Sequence, residues 1–209
     1  MSATANLGGV ILCGGKSSRM GTPKAWLDFD GEPLLARTVR VVSEVAAPVV
    51  VVAALGQALP PLPNDVTIVR DAVEGRGPLQ GIAAGLEALA ERAHAAFVSS
   101  TDAPFLHPAM IRRLAALHGD AHDIVVPQAQ GHFHPLCAVY GLQARAEIAS
   151  LLAADRLRLS LLFERMRTLV ADEVLLLADE ALRAADPTLR SLCNVNTPEE
   201  YAAALADRR

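Results

Sequence analysis

The chain has 209 residues, enough for one domain with a sizeable buried core, and an apolar content of 52% excludes disorder as its overall state. Aromatic residues make up only 4% and the formal net charge is −4, so a base-stacking surface or a general pull toward nucleic acid or anionic membrane is not expected. Cys13, Cys137 and Cys193 lie far apart and form no Cys-x-x-Cys pair, which argues against a disulfide framework and a thiolate zinc site.

The opening residues lack the basic segment and long apolar run of a secretory leader. Residues 7–13 (LGGVILC) predict a buried strand ending in a glycine-rich loop. A helix is expected over 33–45, with Leu34, Val41, Val42 and Val45 inward, and a strand over 49–54. Residues 45–64 carry no charge, but Pro48, Gly56, Pro60, Pro61 and Pro63 interrupt them; a buried strand and a stiff loop explain them better than a membrane span. A cytoplasmic protein is therefore expected.

A short strand over 66–69 stops at Arg70-Asp71, and Leu79, Ile82, Ala83, Leu86, Leu89 and Ala90 predict a helix over 78–92. The next strand, 95–100, is cut off by Thr101-Asp102-Ala103-Pro104, and Pro108 opens a helix at the position proline tolerates. Strands are expected over 124–127 and 136–140, and Ala144, Ile148, Leu151 and Leu152 mark a helix. A short helix follows over 161–166, an extended segment over 168–177 and a last short strand over 191–195. Thr197-Pro198-Glu199-Glu200 reads as a capping box opening a C-terminal helix. No linker divides residues 1–209, so a single α/β domain is expected, its mostly parallel sheet covered by helices on both faces. Ligands in such sheets sit beyond the carboxyl ends of the strands, here marked by Gly14-Gly15, Asp71 and Thr101-Asp102.

The segment LCGGKSSRMGTPK, residues 12–24, carries the most chemistry. Gly14 and Gly15 can turn backbone N–H groups toward a ligand, and Lys16, Arg19 and Lys24 make the region cationic within an acidic chain. Donor-rich backbone with arginine and lysine is what a triphosphate requires. The pattern is neither a Walker A loop nor Gly-x-Gly-x-x-Gly. An ordinary strand-to-helix turn with solvated basic residues is the plainer alternative.

L-x-G-G-x-x-x-R-M-G-x-x-K resembles the signature of the molybdenum cofactor guanylyltransferases, a branch of the nucleotidyltransferases with a Rossmann-like, GT-A-type domain. Arg70-Asp71, Gly77-Pro78-Leu79, Thr101-Asp102-Ala103-Pro104, His134-Pro135-Leu136 and Asn194-Val195-Asn196-Thr197-Pro198-Glu199 follow in the order of that family. The resemblance implies transfer of GMP from GTP to the molybdopterin-bound molybdenum cofactor, with Mg²⁺ and release of pyrophosphate. Leu12, Cys13, Gly14, Gly15, Lys24, Asp71, Gly77, Gly81 and Asp102 then match nucleotide-binding positions, with Arg19, Lys24 and Asp102 in catalytic roles. Asp102 matches the family's metal-binding aspartate, and Asn196 resembles a second metal contact, with helix capping beside Thr197 as its alternative. His134, Arg156 and Asn194 fall on the acceptor side. Arg156, Arg158 and Arg165 with Ser160 resemble a basic segment that meets the pterin phosphate, solvated helix-face arginines being the alternative. Molybdopterin-carrying or molybdoenzyme-maturation proteins are possible partners.

Ala53-Ala54 stand where some relatives place a guanosine-contacting asparagine, so that contact has no counterpart there. His132 and His134 lack a third ligand within sequence reach, and His118, His122, Asp120 and Asp123 read as loop surface. Two other functions compete: a related transferase using CTP or a sugar-phosphate acceptor, and a non-catalytic molybdopterin carrier.

Overall fold

The computed structural model describes residues 6–14, 23–71 and 75–207. Its elements run from β1 (Leu7–Leu12) through a 3-10 turn (Lys24–Trp26), a hairpin of β2 (Asp28–Phe29) and β3 (Glu32–Pro33), and α1 (Leu34–Ser43). Then come β4 (Val49–Ala54), β5 (Thr67–Asp71), α2 (Gly77–Ala88), β6 (Ala95–Ser100) and α3 (Pro108–His118). The hairpin-like β7 (Ile124–Ala129) and β8 (His132–Phe133) precede β9 (Cys137–Gly141), α4 (Ala144–Ala153) and α5 (Leu159–Arg165). The chain ends with β10 (Thr168–Asp172), α6 (Glu173–Leu177), α7 (Glu180–Ala185), a second 3-10 turn (Arg190–Leu192) and α8 (Pro198–Ala206).

The main sheet has the order β10-β7-β9-β6-β1-β4-β5, with β8 paired to β7. Neighbours along it are parallel except β9, which runs against both β6 and β7. From β1 the chain steps outward to β4 and β5 on one side and then returns to β6 on the other. This reversal opens a crevice beyond the carboxyl ends of β1 and β6, where Gly14 and Asp102 stand.

Strand periodicity sorts the core into two layers. Ile11, Val49, Val51 and Phe97 face α1, α3, α6 and α7, whereas Val10, Leu12, Val50, Val52 and Val98 face α2, α4 and α5. Continuous β-branched runs such as VVVV fit strands buried on both faces. A third, smaller cluster of Leu27, Phe29, Leu34, Val195 and Ala204 joins the β2–β3 hairpin to α8. Tyr201 on α8 donates its hydroxyl hydrogen bond to the Asp28 carbonyl, fastening the same junction.

Several sequence expectations are corrected. β5 continues through Arg70 and Asp71, because Ala53↔Arg70 and Ala54↔Asp71 remain paired with β4. The helix expected to reach 92 ends at Ala88, and Glu91 beyond it takes a left-handed φ of 63°. The segment 168–177 is extended only to Asp172, whose carboxylate accepts from Leu175 N at 2.7 Å and caps α6. Residues 191–195 form no ladder strand; a 3-10 turn leads into an extended stretch whose Val195 N donates to the Asp102 carbonyl at 2.9 Å. Asp123 is buried rather than on the loop surface. Its carboxylate accepts from Arg167 N, Nε and Nη2 and from Gln143 Nε2 at 2.6–3.1 Å. Among the described residues, no helix is long and apolar enough to cross a membrane.

Candidate active site

A cavity of about 710 Å³ lies at the crevice, walled by Leu12, Cys13 and Gly14 from β1, Val52–Ala54 from β4 and Asp71 from β5. Gly75–Pro78, Gly81 and Leu136 close one side, and Ser100, Thr101, Asp102 and Lys24 close the other. The end of β1 is fixed on both flanks. Cys13 N donates to Val52 O at 2.8 Å, and the Leu12 carbonyl accepts from Thr101 N at 3.2 Å and from Thr101 Oγ1 at 3.1 Å.

Gln57, which the sequence reading missed, ties this edge together. Its Oε1 accepts from Ala54 N at 3.0 Å, and its Nε2 donates to Cys13 O at 3.0 Å. Arg70 donates to the carbonyls of Ala54 and Gln57 at 3.2 and 2.7 Å, so the guanidinium stiffens the loop after β4. The Cys13 thiol is pushed up from its ordinary pKa, chiefly by burial, and stays protonated at neutral pH. Its pairing with Gln57 makes it a wall group rather than a nucleophile.

Three side chains meet at the edge of the cavity, two of them, Lys24 and Asp102, in its wall and the third, Asn196, joined to Lys24 from outside the lining. Lys24 Nζ donates to Asp102 Oδ2 at 2.6 Å and to Asn196 Oδ1 at 2.9 Å, although the partners are 78 and 172 positions away. Each is held by a separate device. Lys24 starts the 3-10 turn, where Ala25 is buried and Trp26 Nε1 donates to Ala58 O at 3.1 Å. Asp102 follows β6 directly, its carbonyl gripped by Val195 N. Asn196 follows buried Val195 and precedes α8. Thr197, not Asn196, caps that helix, accepting from Glu200 N at 3.2 Å, while Glu200 Oε2 reaches back to Asn196 N at 2.6 Å.

The side chains of Lys24 and Asp102 retain 21% and 15% exposure, so their pair is reachable from the cavity but poorly screened. Asp102 Oδ1 is buried and has no hydrogen-bond partner among the described residues. A carboxylate held by lysine on one oxygen and unsatisfied on the other suits a site that exchanges this pairing for a charged ligand.

A family model for the MobA-like NTP transferase domain matches residues 9–172. The chain belongs to the MobA-like NTP transferase family. A Mycobacterium tuberculosis relative (strain H37Rv), named a probable molybdenum cofactor guanylyltransferase, is 38% identical over 177 residues, spanning 81% of this chain and 86% of its own. A Mycobacterium marinum relative of the same name is 37% identical over 172 residues, spanning 80% and 84%. The molybdopterin-guanine dinucleotide biosynthesis protein A of Archaeoglobus fulgidus shares the fold, with a TM-score of 0.74 at 22% identity over 96% of this chain and 97% of that one. The chain is thus a nucleotidyltransferase.

Leu12, Cys13, Gly14, Lys24, Asp71, Gly77, Gly81 and Asp102 all border the one cavity. Gly15 and Arg19 lie outside the described residues, as do Lys16 and Ser17–Ser18. Gly77 takes φ +69° at the start of α2, a turn that favours glycine. Gly81 has a packing reason as well: a Cβ there would come 3.1 Å from Leu12 Cδ2. Arg76 also borders the cavity, but its guanidinium turns to Leu152 O at 2.5 Å and Asp155 at 3.2 Å.

The acceptor-side residues are not gathered in the same way. His134 sits half-buried beside β7, its N–H on Pro127 O at 2.9 Å; burial lowers its pKa, so the ring is neutral at pH 7. Leu136, two residues on, reaches the cavity wall, but His134 does not. Arg156 and Asn194 are exposed and border no part of the cavity. Arg165 pairs with Glu147 at 2.6 Å on the helix surface.

Proposed function

We propose that the chain transfers GMP from GTP to the molybdopterin-bound molybdenum cofactor, forming the guanine dinucleotide cofactor and pyrophosphate. The supporting observation is that Lys24 and Asp102, with Asn196 bonded to the same ammonium, meet in the wall of a nucleotide-sized cavity in a MobA-like chain. The names of the mycobacterial relatives favour guanine and the molybdenum cofactor over the CTP, sugar-phosphate and carrier alternatives.

The residues fit Mg²⁺. Asp102 Oδ1 is an orphaned buried carboxylate oxygen, Asn196 adds an amide oxygen 2.9 Å from the shared ammonium, and Mg²⁺ commonly takes one or two protein oxygens plus phosphates. Bound there, the ion supplies charge neutralisation and polarisation at the phosphate being attacked. Asp102 and Asn196 would hold the ion, and the Lys24 ammonium would turn from them to the oxygens of the departing pyrophosphate. The terminal phosphate of molybdopterin is already anionic at neutral pH and attacks the α-phosphorus directly, so no side chain is needed as a general base. The P–O bond to the β-phosphate breaks as the new one forms, and the chain contributes in-line placement and preorganised charge.

Pyrophosphate release with GTP or CTP, with and without molybdopterin, tests this reading. Release that requires both GTP and molybdopterin, with a guanine dinucleotide product by mass, is expected. Equal turnover with CTP, turnover with a sugar phosphate in place of molybdopterin, or molybdopterin binding without GTP turnover overturns it.

A further inference from the structure

The hydroxyl of Ser100 ends β6 two residues before Asp102, on a residue only 6% exposed. The backbone there is fully paired: Ser100 N donates to Leu136 O at 3.3 Å, and Ser100 O accepts from Ser99 Oγ at 3.0 Å. Ser100 Oγ, by contrast, is buried and has no partner among the described residues, and the residue borders the cavity. A buried hydroxyl left unpaired is destabilising, and an alanine would fill the same backbone place without that loss. The orphan is therefore explained by a partner that arrives with the ligand.

Its surroundings identify which part of the ligand that is. Strand parity turns Ser100 to the α2 side of the sheet with Val98 and away from the face that carries Phe97. Beside Ser100 on that side the cavity wall is mainly carbon, from Leu12, which pairs in register with Ser100, and from Val52, Pro78 and Leu136. Of the charged lining residues there, Asp71 stands three strands away on β5, and Arg76 turns its guanidinium to Leu152 and Asp155. The charged groups Lys24 and Asp102 lie past the strand end. A largely apolar slot with an unpaired hydroxyl in its wall suits the flat ring of a base, which needs carbon on its faces and a hydrogen bond at its edge. A hydroxyl can donate or accept, so it serves either an exocyclic oxygen or a ring N–H.

We infer that Ser100 Oγ hydrogen-bonds the edge of the nucleotide's base and contributes to selection of the purine triphosphate. This rests on the proposed GTP site and deepens it. Ser100 is a specificity-determining residue, distinct from Lys24, which meets the phosphates, and from Asp102 and Asn196, which would hold the metal.

The test compares wild type with Ser100→Ala by calorimetric titration of GTP and of inorganic tripolyphosphate, together with thermal denaturation of the ligand-free proteins. Ser100→Ala is expected to weaken GTP binding about 3–10-fold, the worth of one hydrogen bond, and to leave tripolyphosphate affinity unchanged. The ligand-free variant should melt at or above the wild-type temperature, since no internal bond is lost. Unchanged GTP affinity, an equal loss for tripolyphosphate, or a lower melting temperature of the free variant overturns the inference. Wild type that fails to bind GTP at all instead refutes the proposed function, so the two failures are distinguishable.

Discussion

Alanine placed at two glycines of one helix separates what seats the cavity wall from what lines it. Gly81 and Gly85 lie one turn apart on α2, and in a helix interior alanine is favoured over glycine by about 1 kcal/mol. At Gly85 the added Cβ would lie 2.3 Å from Val10 Cγ1 and 2.9 Å from Cγ2. Val10 is fully buried, β-branched and held between β4 and β6, so it cannot swing aside. Overpacking costs about 1–3 kcal/mol. A 2.3 Å contact with a stiff side chain lies in the upper part of that range, so after the propensity gain of about 1 kcal/mol a net loss of about 1–2 kcal/mol remains. For a chain of this size the melting temperature should fall by roughly 2–8 °C. At Gly81 the new Cβ meets the flexible end of Leu12 at 3.1 Å, so stability should stay within about 0.5 kcal/mol of wild type. Leu12 and Gly81 both border the cavity, however, so with the nucleotide placed there as proposed, the methyl and the displaced Leu12 should raise KM for GTP by about tenfold or more. Thermal denaturation and steady-state pyrophosphate release measure both effects. A Gly85→Ala protein that melts at or above wild type would refute the close seating of α2 on β1.

The remaining predictions concern charge. Lys24→Ala should lower turnover by about 10²–10³-fold with little change in fold, because it removes one preorganised donor from the phosphates; activity within a few-fold of wild type contradicts the role. Asp123 is held well below the usual carboxylate range, mainly by the hydrogen bonds from Arg167 and next by that from Gln143. A carboxylate depressed in the folded state adds stability above its unfolded pKa of about 3.9, and that contribution is lost as pH falls toward the folded value. Urea unfolding of wild type across acidic pH should therefore show stability declining below about pH 4. Asp123→Asn should be less stable at pH 7 and decline less steeply; parallel pH profiles would disprove the assignment.

Much of the sheet was legible because its strands are short β-branched runs with glycine or proline at their ends. The boundaries of β4 and β6 follow directly from VVVVAA and AAFVSS. Ligand-facing ends were harder to read. Arg70 and Asp71 look like a turn by composition, yet pairing with β4 carries the strand through them. The segment after Thr168 mixes aliphatic residues without a clear period, and only the Asp172 cap turns its second half into helix. The β2–β3 hairpin was missed although Asp30-Gly31 is a strong turn signal, because strands of two residues carry no alternation.

The site divides in the same way. Glycine-rich backbone and Asp102 announce themselves by sequence context, whereas the meeting of Lys24 with Asn196 depends on packing. The cluster of Leu27, Phe29, Val195 and Ala204 brings the C-terminal segment to the hairpin. Residues such as Gln57, whose amide bridges two strand ends, carry no local signal because their partners are chosen by the fold.

The central claim is that Asp102, poised by Lys24 and Asn196, receives a metal-bound triphosphate. The direct measurement is a spin-resonance titration of Mn²⁺, as a probe for Mg²⁺, into wild type and Asp102→Asn with GTP present and absent. Wild type should take up one Mn²⁺ tightly when GTP is bound, and Asp102→Asn should weaken that uptake by more than about tenfold while remaining folded. Equal Mn²⁺ affinity of the two GTP-bound proteins would contradict the account.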